Sequence, residues 1–217
     1  MCTNYRPTAR DLIAQRLHVA DPGFDWEAEV WPGHAAPLLR VRDGRRELLK
    51  ACFGLVPHWS PDTKIARMTY NARSETVAEK PSYRQPWARR HFGLVPMDAF
   101  YEPNHESGKA VRWRIERADG APFLVAALWD RWVARPTGEI VWSFSMLTIN
   151  ADAHPLMQRF HKPGDEKRSL VVVDEARADA WLCAADGDAA RALLLPFDAA
   201  AFTARAEPLP PRVRKPG

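Results

Sequence analysis

From Val111 to Val173 the chain is dominated by strand-like runs, and this most restricts what it can fold into. "VRWRIER" (111–117) sets Val111, Trp113 and Ile115 against Arg112, Arg114 and Glu116, the alternation of a strand with one wet face. "PFLVAALWDRWV" (122–133) and "WSFSMLTIN" (142–150) follow, apolar and rich in aromatic or β-branched residues, with turns at "ADGAP" and "RPTGE" between them. "SLVVV" (169–173) reads as a short buried strand running into "DEARADAWL". There Asp174 is the expected N-cap and Ala178, Trp181 and Leu182 the buried stripe. Near the start, residues 7–17 read as a short helix with Ala9, Ile13 and Leu17 on one face. Strands that do not alternate regularly with helices exclude a doubly wound parallel sheet. The expectation is α+β: one domain with a curved, mostly antiparallel sheet flanked by short helices. It spans residues 1–207 and leaves a basic, proline-rich tail over 208–217.

With 217 residues and 46% apolar content, the chain can bury one sizeable core. No apolar h-region follows Met1, and no apolar run reaches the roughly 20 residues of a membrane span, which points to the cytoplasm. The three cysteines, Cys2, Cys52 and Cys183, are odd in number and far apart. That argues against a disulfide framework or a zinc cluster and fits a reducing compartment. The net charge of +4 permits an anionic partner without demanding one.

Chemistry-bearing residues are scattered. Removal of Met1 would leave Cys2 with a free α-amine and a thiol on one residue. Such a 1,2-aminothiol condenses with an aldehyde to an imine and then closes a five-membered thiazolidine; the bland alternative is a small residue on a frayed terminus. In "TYNARSET" (69–76), Asn71 and Arg73 share one side of an extended stretch, an amide for a hydroxyl and a guanidinium for a phosphate. The alternative is a turn leading to a helix N-terminus. In "GLVPMDAFYEP" (93–103), Glu102 follows aromatic residues and precedes Pro103, expected to end strand pairing; it suits acid–base work or is an ordinary strand-end carboxylate. In "MQRFHKPGDEKR" (157–168), His161 enters a loop before a strand, where a histidine can shuttle protons or be structural; His154 is the weaker candidate. Trp59 in "FGLVPHWS" can stack an unpaired base or pack in the core. Cys52 and Cys183 read as core residues.

Taken in order, "MC" at the N-terminus, "GLVPHW", "NARSET", "LVPMDAFYEP", "AALWD", "TINA", and "RFH" ahead of "LVVV" resemble the SOS response-associated peptidase (SRAP) family, from Cys2 to about Leu182. The resemblance implies a DNA-damage protein that senses abasic sites in single-stranded DNA. It implies a covalent thiazolidine formed through the trimmed N-terminal cysteine, with removal of Met1 as the associated peptidase activity. No cofactor and no metal are implied, and the expectation is a monomer. On these motifs Cys2 resembles the nucleophile, Asn71 the residue that orients it, Glu102 the acid–base group and His161 the assistant to ring opening and reversal. Arg73, Trp59, Arg6, Thr148 and Arg168 become the expected DNA contacts. The chain departs from the family's usual motifs in having Thr3 and Asn4 after the cysteine, Pro103 after the glutamate and "HKPGDEKRS" after the histidine. Two other readings stay open: a cysteine hydrolase pairing Cys2 with His161, and a non-catalytic nucleic-acid binder.

Overall fold

The computed structural model describes residues 2–210. Eleven strands form one sheet: β1 (Asn4–Pro7), β2 (Ala35–Arg42), β3 (Arg45–Phe53), β4 (Asn71–Arg73), β5 (Phe92–Asn104), β6 (Val111–Arg117), β7 (Phe123–Val133), β8 (Ile140–Asn150), β9 (Arg168–Leu170), β10 (Val172–Val173) and β11 (Phe202–Ala206). Four short helices accompany them: α1 (Arg10–Leu17), α2 (Arg84–Ala88), α3 (Ala178–Leu182) and α4 (Gly187–Arg191). No helix among them is long and apolar enough to cross a membrane.

The sheet closes on itself. β7, β8, β3, β2 and β5 are neighbours in that order, and β5 pairs back onto β7 through Phe92↔Leu128 to Met97↔Phe123. The joints are narrow: β3 meets β8 in parallel only at Cys52↔Ser143 and Phe53↔Phe144, and β2 meets β5 at Leu39↔Leu94. β5 is the long strand of the fold. Its first half belongs to this barrel-like ring; its second half pairs with β6 and with β1, from Asn4↔Tyr101 to Pro7↔Met97. That pairing ties the N-terminus to the middle of the molecule.

The continuous apolar run of β7 follows from burial on both faces. Val125 and Ala127 enter a core with Tyr5, Phe53, Phe100, Phe144 and Phe160. Their immediate neighbours Leu124, Ala126 and Leu128 enter a second core with Ile13, Leu17, Trp87 and Trp181, which the helices supply. The Trp181 indole N–H is buried but donates to Gly93 O at 2.9 Å, so the largest buried side chain carries no unmet polar group.

Several local expectations need correction. The first helix begins at Arg10, because Pro7 is still paired in β1; Ala9 lies outside it and is exposed. Asp174 makes no side-chain cap; a 3₁₀ turn, Glu175–Arg177, precedes α3. "SLVVV" splits at Val171, whose N–H goes to Leu147 O and whose carbonyl accepts from Ala126 N. Pro103 does not end β5, which continues to Asn104 in register with β6. The Pro103 carbonyl accepts from His161 N rather than from β6, so its missing N–H costs the ladder nothing. Cys52 is only half-buried, and Cys183 is exposed, because it follows the buried pair Trp181–Leu182 onto the wet side of α3. Of the tail, residues 208–210 carry no regular structure, and 211–217 lie outside the described residues.

Candidate active site

β1 delivers Cys2 into the core cluster, where it is fully buried beside Tyr5 and Phe100. Its Sγ donates to Asn4 O at 3.2 Å, and its carbonyl accepts from Asn71 Nδ2 at 2.8 Å. Burial, and second the nearby Glu102 carboxylate, push the Cys2 thiol well above the ordinary thiol range. The sulfur is therefore held protonated, the opposite of a thiolate-activating environment.

Asn71 opens β4, which runs parallel to β8 at Asn71↔Met146. Its backbone carbonyl accepts from the Tyr83 hydroxyl at 3.1 Å. With the amide nitrogen engaged by Cys2, Asn71 Oδ1 is buried and has no hydrogen-bond partner among the described residues. A buried acceptor left open costs about 1–3 kcal/mol, a cost found where a ligand supplies the missing donor.

Glu102 sits on β5, 3% exposed, with Oε2 3.1 Å from His161 Nε2. His161 takes the left-handed backbone (φ 65°), a region in which histidine is over-represented among non-glycine residues. Three contacts hold that loop against the end of β5. His161 N donates to Pro103 O at 2.9 Å, Asn104 bridges Phe160, and Asn104 Nδ2 donates to Arg159 O at 3.1 Å. The His161 Nδ1 is buried without a partner among the described residues.

The structure thus gathers Cys2, Asn71, Glu102 and His161 from four separate stretches of chain. The expected DNA contacts divide. Trp59 is 44% exposed, its indole N–H 3.4 Å from Pro81 O. Arg73 and Arg6 have half-exposed side chains, leaning on Glu166 at 2.7 Å and Asp98 at 3.8 Å. Arg168 and Thr148 face inward. The Arg168 guanidinium is engaged by Glu75, Glu166 and the Thr148 carbonyl at 2.7–2.9 Å, and Thr148 is 1% exposed. That placement ties both to β4, β8 and β9 and leaves them covered by the surrounding chain. His154 is structural as well: Nδ1 accepts from Leu156 N and Met157 N, so Nε2–H donates to Phe197 O at 3.0 Å.

Sequence reasoning missed Tyr70. Its half-buried ring packs on the core that holds Cys2, 5.8 Å from the Phe53 ring. Burial raises its phenol, and the neighbouring Cys2 and Glu102 groups raise it further. Its position directly before Asn71 was the available signal.

The buried thiols and phenols carry a pH consequence. Cys52 is pushed up to about 11 and Tyr83 up to about 12 by burial, and Cys2 and Tyr5 are raised for the same reason. The folded chain keeps these protons at pH values where the unfolded chain has lost them. Their contribution is fully present below pH 9 and is lost as pH climbs through the raised values. Urea unfolding at pH 10.5 should show stability lower than at pH 8 by on the order of 3 kcal/mol, and Cys2→Ala should make that decline shallower. A flat profile over this window would contradict the burial.

The closed sheet thus brings Cys2, an amide, a carboxyl and an imidazole together. The chain belongs to the SOS response associated peptidase (SRAP) family, whose model matches residues 1–216. It is 31% identical over 182 residues to the abasic site processing protein YoqW of Bacillus subtilis (strain 168), covering 80% of this chain and 77% of that one. It is 27% identical over 135 residues to the abasic site processing protein HMCES of Mus musculus, covering 49% and 38%. A crystal structure of a Bordetella bronchiseptica protein superposes with a TM-score of 0.87 at 36% identity, covering 96% of this chain and 100% of that one.

Proposed function

We propose that this chain, once Met1 is removed, captures the ring-opened aldehyde of an abasic site in single-stranded DNA. The Cys2 α-amine adds to the aldehyde carbon, and loss of one water gives the imine. The Cys2 S–H then adds across C=N: sulfur bonds to carbon, the proton passes to nitrogen, and a thiazolidine closes. Asn71 fixes Cys2 through its carbonyl and offers Oδ1 to the amine or a sugar hydroxyl. Glu102 and His161, 3.1 Å apart, carry the protons that addition and dehydration require. No metal or cofactor enters the scheme. The protein would act as a monomer in the reducing cytoplasm, where its aminothiol stays free.

The observation that carries this reading is the grip of Asn71 on a fully buried Cys2, whose surroundings keep the sulfur protonated. A thiol in that state suits a second-step nucleophile that follows the amine. It does not suit a hydrolase, whose thiolate needs a cationic partner, and the Nε2 of His161 faces Glu102.

The test is intact-mass measurement of the purified protein with an oligonucleotide bearing one abasic site. The expected result is a protein lacking Met1 that gains the oligonucleotide mass minus one water and survives denaturation. Retention of Met1 in a crosslinking-inert protein would sink the proposal. Glu102→Gln keeps the shape and removes the proton carrier; the adduct should then form about 10²–10³-fold more slowly without a change in the final mass.

A further inference from the structure

Beside buried Cys2, and lined in part by Glu102, lies a cleft of about 270 Å³ whose walls include Thr3, Asn4, Trp31, Tyr101 and Arg112. Its cation comes from β6. The Arg112 guanidinium carbon lies over the Tyr101 ring, 3.4 Å from its centre, and its side chain is 14% exposed. Nη2 donates to Glu29 Oε2 at 2.7 Å and Nη1 to the Glu207 carbonyl at 3.2 Å. Its Nε is buried with no hydrogen-bond partner among the described residues. Glu29 is itself a third exposed and also takes the Asn4 amide at 3.0 Å. Asn4, two residues from the nucleophile, brings no charge of its own, and Arg6 is directed to Asp98.

We propose that this cleft is a nucleotide subsite, in which Arg112 binds the DNA phosphate adjoining the captured sugar and Trp31 stacks the neighbouring base. The inference rests on the proposed abasic-site capture. A guanidinium held over a ring is already restricted, so its fork meets two phosphate oxygens with little further loss of freedom. Glu29 holds one nitrogen of that fork, Nη2. A phosphate enters by displacing Glu29 toward solvent, for which its exposed side chain is placed. Half-buried Trp31 on the wall offers an aromatic face, a base-stacking platform indifferent to sequence.

The experiment uses the full-length, Met1-trimmed protein and a short single-stranded oligonucleotide with a central tetrahydrofuran residue, which cannot crosslink. Binding is followed by fluorescence anisotropy across a salt series. Arg112→Gln should raise Kd about 10-fold and reduce the salt slope by about 0.7, the value for one lost phosphate contact on a single strand. Glu29→Gln should lower Kd several-fold. Neutral methylphosphonates, placed singly on either side of the tetrahydrofuran, identify the phosphate. At one position the substitution weakens wild-type binding about 10-fold but leaves Arg112→Gln unaffected. A merely structural Arg112 would shift the urea midpoint yet lose the same factor at that linkage as wild type, which overturns the proposal. Kd and slope unchanged in Arg112→Gln overturn it as well. Should Arg112→Gln not fold, Glu29→Gln decides, since no gain in affinity there refutes the subsite. Crosslinking of the same proteins to an aldehyde-bearing oligonucleotide runs in parallel. No adduct from wild type refutes the parent reading, whereas an adduct with unaltered Arg112→Gln binding refutes only the subsite.

Discussion

Cys2→Ala should yield no denaturation-resistant adduct with an abasic-site oligonucleotide, while its fold persists. Cys2 is entirely buried, so removing the sulfur leaves a small void, and a loss of about 1–2 kcal/mol is the scale for so small a truncation. The Asn71 contact survives, because it reaches the Cys2 carbonyl and not the side chain. The α-amine also survives. Cys2→Ala should therefore still form an imine that borohydride traps, and only the ring-closed product should vanish. Cys2→Ser should behave like the alanine variant, because an alcohol closes the corresponding ring far less favourably than a thiol. Acetylation of the Cys2 amine should abolish both the imine and the stable product, although the thiol is intact.

These outcomes separate the readings. A hydrolase needs sulfur and is indifferent to the amine; a non-catalytic binder is indifferent to both. Trapped imine with Cys2→Ala, together with no stable adduct, fits only the two-step capture. A full yield of stable adduct from Cys2→Ala would end it, whatever the other variants did.

How far the chain could be read in advance depends on whether the information is local. β6 and most of β7 and β8 were legible as strands, from the alternation of "VRWRIER" and from the apolar run "FLVAAL", buried on both faces. The wet face expected of β6 is largely covered, however: the Arg112, Arg114 and Glu116 side chains are 14%, 11% and 17% exposed, because they pair with Glu29 and with one another. Closure of the sheet was not legible. It depends on Leu39 meeting Leu94 and Phe53 meeting Phe144, contacts with no signature in either segment. The site residues were individually ambiguous and became specific only in their order along the chain. Arg168 shows the limit of reading charge as surface. Nothing in "DEKRS" announces that β9 turns this arginine inward to meet Glu75 and Glu166. Pro103 misled for a related reason. The rule against proline in strands concerns a lost donor, and here that edge of β5 faces a loop whose own N–H comes to the proline carbonyl.

Gly54→Ala should be the most damaging single substitution outside the site. Gly54 follows β3 at φ 113°, a conformation that side chains rarely adopt. A Cβ there would stand 2.0 Å from the Ala66 carbonyl oxygen and 2.5 Å from its carbon. Those are backbone atoms of the 3₁₀ turn Lys64–Arg67, so no side chain can swing aside. Relief requires moving the turn or the strand end, and both are tied down. Gly54 N donates to Phe144 O at 2.8 Å, and Leu55 and Thr69 exchange bonds across the loop. Loss should exceed about 4 kcal/mol, the range reserved for strain and overpacking in the core, or on the order of 10 °C in Tm for a chain of this size. Gly44→Ala is the control. It also has positive φ (74°), in the β2–β3 turn, but no atom lies within 4 Å of the added carbon. It should cost only about 1 kcal/mol. The effect reaches the site, because the loop that starts at Gly54 ends at Asn71. Whatever Gly54→Ala protein remains folded should crosslink more slowly than wild type, through a displaced Asn71 and a loosened Cys2. Equal urea midpoints for the two glycine variants would show that the loop yields where the packing says it cannot.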